Sequence, residues 1–140
     1  MRVVLDTNVL VSALVHHGRV PSRLYEAAAE RRFTLVVSTH LLSELARVLA
    51  VKFNWTEGAI EVVVLQLLRL GELAEPGQPV RAVIADPDDD RVLEAALAGG
   101  AAVIATGDRH LLALGTWQDV EVVTPAELLA RIEVSGRDNA

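Results

Sequence analysis

The sequence contains no cysteine. Disulfides and thiolate metal centres are therefore excluded, while the redox compartment stays open, because a cysteine-free chain folds in either. Lysine is almost absent as well: Lys52 is the single one among 13 basic residues. The others are arginines, whose planar fork suits phosphate and bases better than an ammonium does, although GC-rich coding would leave the same bias. No apolar run approaches the roughly 20 residues of a membrane span, and the opening MRVVLD meets an acid at position 6, unlike a secretory leader. Repeats, low-complexity tracts and linkers are missing too. With 51% hydrophobic and 23% charged residues in a chain of 140, these absences predict one soluble, cytoplasmic domain with a real core and no membrane contact. The formal net charge of −6 argues at face value against a nucleic-acid partner.

What is present alternates between short apolar runs and amphipathic stretches. RVVLD reads as a buried strand ending at Asp6. A helix follows from Asn8 to about Leu14, with Thr7 or Asn8 as its cap. PSRLYEAAAERR is a helix with Pro21 near its start, and FTLVVS is a second strand. Ser38 caps a helix to about Phe53, and Thr56 caps another that stops at Gly71. VRAVIA is a short strand or extended segment. DPDDDRVLEAALAGG is a helix with an acidic first turn, AAVIAT a third strong strand, and VEVVT a fourth. Thr124 and Glu127 form a capping box opening PAELLARI, and residues 133–140 read as a frayed tail. Strands that alternate with helices predict an α/β fold with a mostly parallel sheet and helices on both faces. Ligands of such sheets sit at the carboxyl ends of the strands.

That placement gives meaning to acids lying where core is expected. Asp6 ends the first strand. Asp108 follows AAVIATG, where it also reads as an ordinary turn residue. Glu44 falls on the apolar stripe of its helix with Leu41, Leu45 and Val48, which calls for a partner: a salt bridge to an arginine or a functional role. In ADPDDDRVL, Asp86 and Asp88 suit the helix dipole and its free amides. Asp89 and Asp90 are both in phase with Val92, Leu93, Ala96 and Leu97, so one of them should turn inward. Converging carboxylates repel, by about 4 kcal/mol for two charges about 4 Å apart at an effective dielectric of about 20. A hard divalent cation resolves this, and an oxygen-only set suits Mg²⁺ or Mn²⁺ rather than Zn²⁺. His16, His17, His40 and His110 lack metal-ligand spacing and read as surface residues.

Together VVLDTNVLVSAL, the Glu44 helix, DPDDDRVLEAALAGGA and VIATGDRHLL resemble the PIN-domain family, over roughly Met1 to Ile132. The likeness is nearest to the short bacterial VapC-like proteins that act as toxins of toxin–antitoxin pairs. The resemblance implies a PIN-like, Rossmann-like three-layer α/β/α domain over residues 1–132 and a metal-dependent endoribonuclease. It places the family's acids on Asp6, Glu44, Asp90 and Asp108, with Asp90 preferred to Asp89 because Leu93 follows it by three. Asp6, Asp90 and Asp108 are then the ligands of Mg²⁺, or of Mn²⁺ as a substitute, and Glu44 completes the shell or orients the attacking water. Asn8 and Thr106 fall on polar positions that support the ligands or the phosphate. The implied partners are an RNA substrate, a small antitoxin and a second copy of the chain in a homodimer. Two other readings compete. One is a non-catalytic binding module on the same fold. The other is an aspartyl-phosphate phosphatase, disfavoured because Asn8 stands where its second acid belongs and no lysine lies at a suitable place downstream.

Overall fold

A computed structural model describes residues 1–77, 79 and 87–138. The expected strand VRAVIA and the expected cap Asp86 lie outside the described residues.

Four-residue apolar runs form the middle of the sheet. β1 (Arg2–Leu5), β2 (Thr34–Val37), β4 (Val103–Ala105) and β6 (Val120–Val123) stand in the order β2-β1-β4-β6, all parallel. The two-residue strands β3 (Glu72–Leu73) and β5 (Thr116–Trp117) close the edges, β3 parallel to β2 and β5 antiparallel to β6. Alternate side chains leave opposite faces of a strand. Val3, Leu5, Leu35, Val37, Val103 and Ala105 accordingly join one core, and Val4, Val36, Ile104 and Val122 join the other. The first core is covered by α1 (Thr7–Val15), α2 (Val20–Ala29), α3 (Thr39–Phe53), α4 (Glu57–Leu70) and α7 (Pro125–Asp138), and the second mainly by α5 (Pro87–Ala98) and α6 (Arg109–Leu112). The result is the three-layer α/β/α arrangement with a mostly parallel sheet.

Several boundaries differ from the sequence reading. The cap of α1 is Asp6 itself, whose Oδ1 accepts from the Thr7 amide at 2.7 Å. Neither Thr7 nor Asn8 plays that part. Strand β5 went unpredicted because its hairpin turn, Gln118 and Asp119 at φ 45° and 66°, takes the left-handed pair of conformations without the usual Asn-Gly or Asp-Gly signal. Strand β3 is too short for any periodicity to register. Helix α7 continues to Asp138, past Ile132, and Glu133, placed in the expected tail, pairs with Arg23 at 2.5 Å. The caps Ser38, Thr56 and Thr124 are as expected: their hydroxyls accept from the amides of Leu41, Ala59 and Glu127, each at 3.2 Å.

Candidate active site

The chain leaves β1 toward β2 on one side, while β4 pairs on the other. The sheet's topological switch therefore falls between β1 and β4, where open α/β sheets form their crevice. β1 ends at Leu5 and delivers Asp6. β4 ends at Ala105 and delivers Thr106, Gly107 and Asp108. The Asp6 amide donates to the Ala105 carbonyl at 3.0 Å, which locks the two strand ends together.

Asp6 is buried, and three donors hold it. Thr106 Oγ1 donates to its Oδ2 at 2.6 Å and Asn8 Nδ2 to the same atom at 3.3 Å, while the Thr7 amide holds Oδ1. Thr106 Oγ1 in turn accepts from the Asp108 amide at 2.9 Å, and Asn8 Oδ1 accepts from the Gly107 amide at 3.4 Å. Asn8 and Thr106 thus tie the first acid to the loop that carries the last. Asp108 caps α6, its Oδ1 accepting from the amides of His110 and Leu111 at 2.7 and 3.2 Å. This short helix is the reason the acid is more than a turn residue.

Glu44 reaches the same place from the middle of α3. Its side chain is 24% exposed, and Thr7 Oγ1 donates to its Oε2 at 3.2 Å. No arginine pairs with it among the described ion pairs. Instead His40 Nε2 lies 3.9 Å from Glu44 and 3.9 Å from Asp88. His40 is exposed, as the sequence suggested, yet it stands beside the acids.

A cavity of about 330 Å³ gathers these groups. Its acidic wall is Asp6, Glu44, Asp88, Asp89 and Asp108, with Thr7, Asn8 and Ser12 between them; Val48, Lys52 and Phe53 of α3 and Val11 and His16 complete the lining. The first turn of α5 buries both Asp89 and Asp90, at 6% and 4% exposure, but Asp89 lines the cavity and Asp90 lies outside that lining. Periodicity left that choice open, the resemblance placed the family's acid on Asp90, and both residues are buried in the same turn. Glu94, unremarked in the sequence, is also buried and pairs with Arg91 at 2.7 Å. The apolar-cationic wall Val48, Lys52 and Phe53 was missed as well. Its only signal in the sequence was the lone lysine at the end of a predicted helix.

Electrostatics follow from the crowding. Burial pushes the Asp6 carboxyl above its ordinary 3.8, the bonds from Thr106 and Thr7 pull it back, and the negative charges of Glu44 and Asp108 push it up further. A buried carboxylate pressed by neighbouring negative charges marks a place that a cation would relax. The donors are all oxygen, which suits Mg²⁺ or Mn²⁺. As the side chains lie, no three acidic or histidine groups among the described residues stand close enough together to enclose one ion. The chemistry of the set, all oxygen donors, is that of a hard cation's ligands.

The profile of the PIN domain matches residues 2–110, most of the chain and all four acid-bearing elements. This chain belongs to the PIN-domain family. A relative from Methanocaldococcus jannaschii, the uncharacterized protein MJ1680, is 26% identical over 118 residues, covering 81% of this chain and 75% of its own. Solved structures share the PIN fold at low identity. PAE2754 from Pyrobaculum aerophilum superposes with a TM-score of 0.62 at 16% identity, covering 96% of this chain and 90% of that one. VapBC2 from Rickettsia felis, bound to a DNA fragment from their promoter, gives 0.58 at 16%, with coverage of 87% and 97%. FitAcB from Neisseria gonorrhoeae gives 0.55 at 19%, with 89% and 98%. No helix among the described residues of this PIN domain is long and apolar enough to cross a membrane.

Proposed function

We propose that the protein is a metal-dependent endoribonuclease, the toxin of a toxin–antitoxin pair acting in the cytoplasm. One observation carries the reading: four elements far apart in sequence each send an acid, Asp6, Glu44, Asp89 and Asp108, to one cavity at the strand ends. Asp6, Asp89 and Asp108 would hold the cation, with Asp89 in the place the resemblance gave to Asp90. A bound Mg²⁺ or Mn²⁺ supplies an activated water and offsets charge building on the phosphate. The chain's own residues set the stage. Thr106 and the Thr7 amide aim Asp6 and counter part of the push that burial gives its carboxyl. The Thr7 hydroxyl fixes Glu44, which orients the attacking water. The Asn8 amide, already bonded to Asp6, faces the cavity as a donor for a phosphate oxygen. An Asp6 oxygen pair held by three donors suits an orienting acid better than an in-line nucleophile, which weakens the phosphatase reading.

The toxin assignment rests on the resemblance to VapC-like proteins and on fold neighbours named VapBC2 and FitAcB. An antitoxin, or a second copy in a homodimer, has an apolar face available on α4, where Val62, Leu65 and Leu68 are exposed at a spacing of three. The test is cleavage of a single-stranded RNA in EDTA, Mg²⁺ and Mn²⁺. Cleavage that needs the metal supports the reading; equal cleavage in all three, or none in any, overturns it.

A further inference from the structure

Four of the five aromatic residues pack into the cores: Tyr25, Phe33 and Trp55 in one, Trp117 in the other. Phe53 is the exception. It is 39% exposed and lines the acidic cavity. The local fold keeps it there. Asn54 adopts a left-handed conformation, φ 55°, that ends α3, and the Trp55 amide returns to the Leu49 carbonyl at 3.0 Å. The chain thus turns Trp55 back onto the core and leaves Phe53 on the rim. Beside it in the lining are Val48 and Lys52, one turn apart on α3. Lys52 is the chain's single lysine and faces a wall of carboxylates without an ion pair among the described bridges.

An acid-lined cavity repels a polyanion wherever no cation sits. A strand entering it must be gripped by the opposite wall. We propose that Val48, Lys52 and Phe53 form a nucleotide subsite for single-stranded RNA: the Phe53 ring stacks on the base next to the cleaved linkage, Val48 backs it, and the Lys52 ammonium pairs with the neighbouring phosphate. The cavity, about 330 Å³, lies within the size range of small-ligand pockets and suits one nucleotide. Stacking on an aromatic ring tolerates every base and demands an unpaired one, so the subsite selects single strands over duplex. The proposal rests on the nuclease reading and assigns the side that holds the substrate.

The experiment measures binding of a short fluorescein-labelled single-stranded RNA by anisotropy in EDTA, across a salt series, together with KM for its cleavage in Mn²⁺. Phe53→Ala should weaken binding about tenfold or more and raise KM, Phe53→Leu should do nearly the same, and Phe53→Tyr should retain wild-type affinity. Lys52→Gln should lower the slope of log affinity against log salt by about 0.7, the share of one phosphate contact on a single strand. Phe53→Ala should leave that slope unchanged. If the wild type binds or cleaves RNA and these variants match it, the subsite is wrong while the nuclease reading survives. If Phe53→Ala leaves RNA affinity and KM alone but loosens self-association in sedimentation, the rim is a protein contact and the proposal is overturned. A wild type that neither binds nor cleaves RNA overturns both.

Discussion

The two ends of the sheet carry opposite charges for a shared reason and use them differently. Helices that follow parallel strands present their N-termini at the carboxyl ends of the strands and their C-termini at the other end. Acids therefore suit one end and arginines the other. At the amino end a cavity of about 530 Å³ is lined by Arg31, Arg32 and Arg131. Arg31 donates to the carbonyls of Leu70 and Arg69 at the end of α4 at 2.7 and 3.2 Å, Arg2 to Gly99 after α5 at 2.7 Å, and Arg32 to Ile132 at 3.1 Å. Arg131 pairs with Glu121 at 2.7 Å. Every one of these cations has an acceptor. At the carboxyl end, Asp6 and Asp108 also cap helices, but Glu44 comes from the middle of one and Asp89 from a buried first-turn face. That surplus of like charge around one cavity exceeds what capping needs. The arginines of the amino end are matched one by one, whereas the carboxylates of the other end are gathered around one cavity.

The largest expected effect breaks this comparison directly. Asp6→Asn should lower RNA cleavage by about 10²-fold or more, the scale of losing a catalytic group. Arg31→Ala should leave cleavage within a few fold and cost about 1 kcal/mol of stability through its lost bonds to two carbonyls. Cleavage rates and thermal unfolding of both variants check it. Activity lost in Arg31→Ala with stability intact would mean that the amino end is the working one.

Within the acidic end, Asp89 and Asp90 sharpen the contrast. Asp89→Asn should abolish cleavage on the same scale, and Asp90→Asn should leave more activity than Asp89→Asn and act mainly on folding. Single-turnover rates of both variants, taken after confirming cooperative unfolding, decide it. The reverse order would restore Asp90 to the place that the family spacing gave it.

These residues also show what a sequence displays and what it hides. The alternation of β1, α3, α5 and β4 was visible because the buried runs are short, apolar and bounded by caps such as Ser38, Thr56 and Thr124. Asp6, Glu44 and Asp108 stood out because each interrupts an apolar pattern. Asp89 against Asp90 was not decidable by periodicity, since both lie on the buried arc of α5. The bonds from Thr7 to Glu44 and from Gly107 to Asn8 join residues 37 and 99 positions apart, and no local pattern records such pairs. The exposed Phe53 had no signature either: at the end of a helix, an aromatic on the core side and one on the rim read alike.

A medium effect concerns pH. Burial first, and then the charges of Glu44 and Asp108, hold the folded Asp6 carboxyl above its ordinary 3.8. The folded protein therefore keeps this proton to higher pH than the unfolded chain does. The stability contributed is complete below the unfolded value, about 4, and is lost as pH rises through the raised folded value. Metal-free protein should accordingly unfold at lower temperature at pH 7 than at pH 5, and Asp6→Asn should flatten that dependence. Mn²⁺ at about 100 times its dissociation constant should return about 2.7 kcal/mol at pH 7. Thermal unfolding in EDTA and in Mn²⁺ at both pH values checks the sign; stability that rises from pH 5 to pH 7 equally in wild type and Asp6→Asn would refute it.

The smallest effect is expected at Glu44, and it separates the two kinds of charge at a single residue. Residue patterning, which places Glu44 on a buried stripe among other acids, predicts that Glu44→Gln stabilises the metal-free protein by about 1 kcal/mol, the usual gain from removing a strained functional group. The structure lowers that figure. A side chain 24% exposed keeps part of its hydration, and solvent screens its repulsion with Asp6. The bond from Thr7 Oγ1 survives in glutamine, whose carbonyl oxygen accepts as the carboxylate does. The net change should be a stabilisation of no more than about 0.5 kcal/mol at pH 8, alongside loss of cleavage. Chemical denaturation in EDTA at pH 8 resolves it. Destabilisation at pH 8 would show that Glu44 is matched like the arginines of the amino end, and the contrast between the two ends would then fail at its central acid.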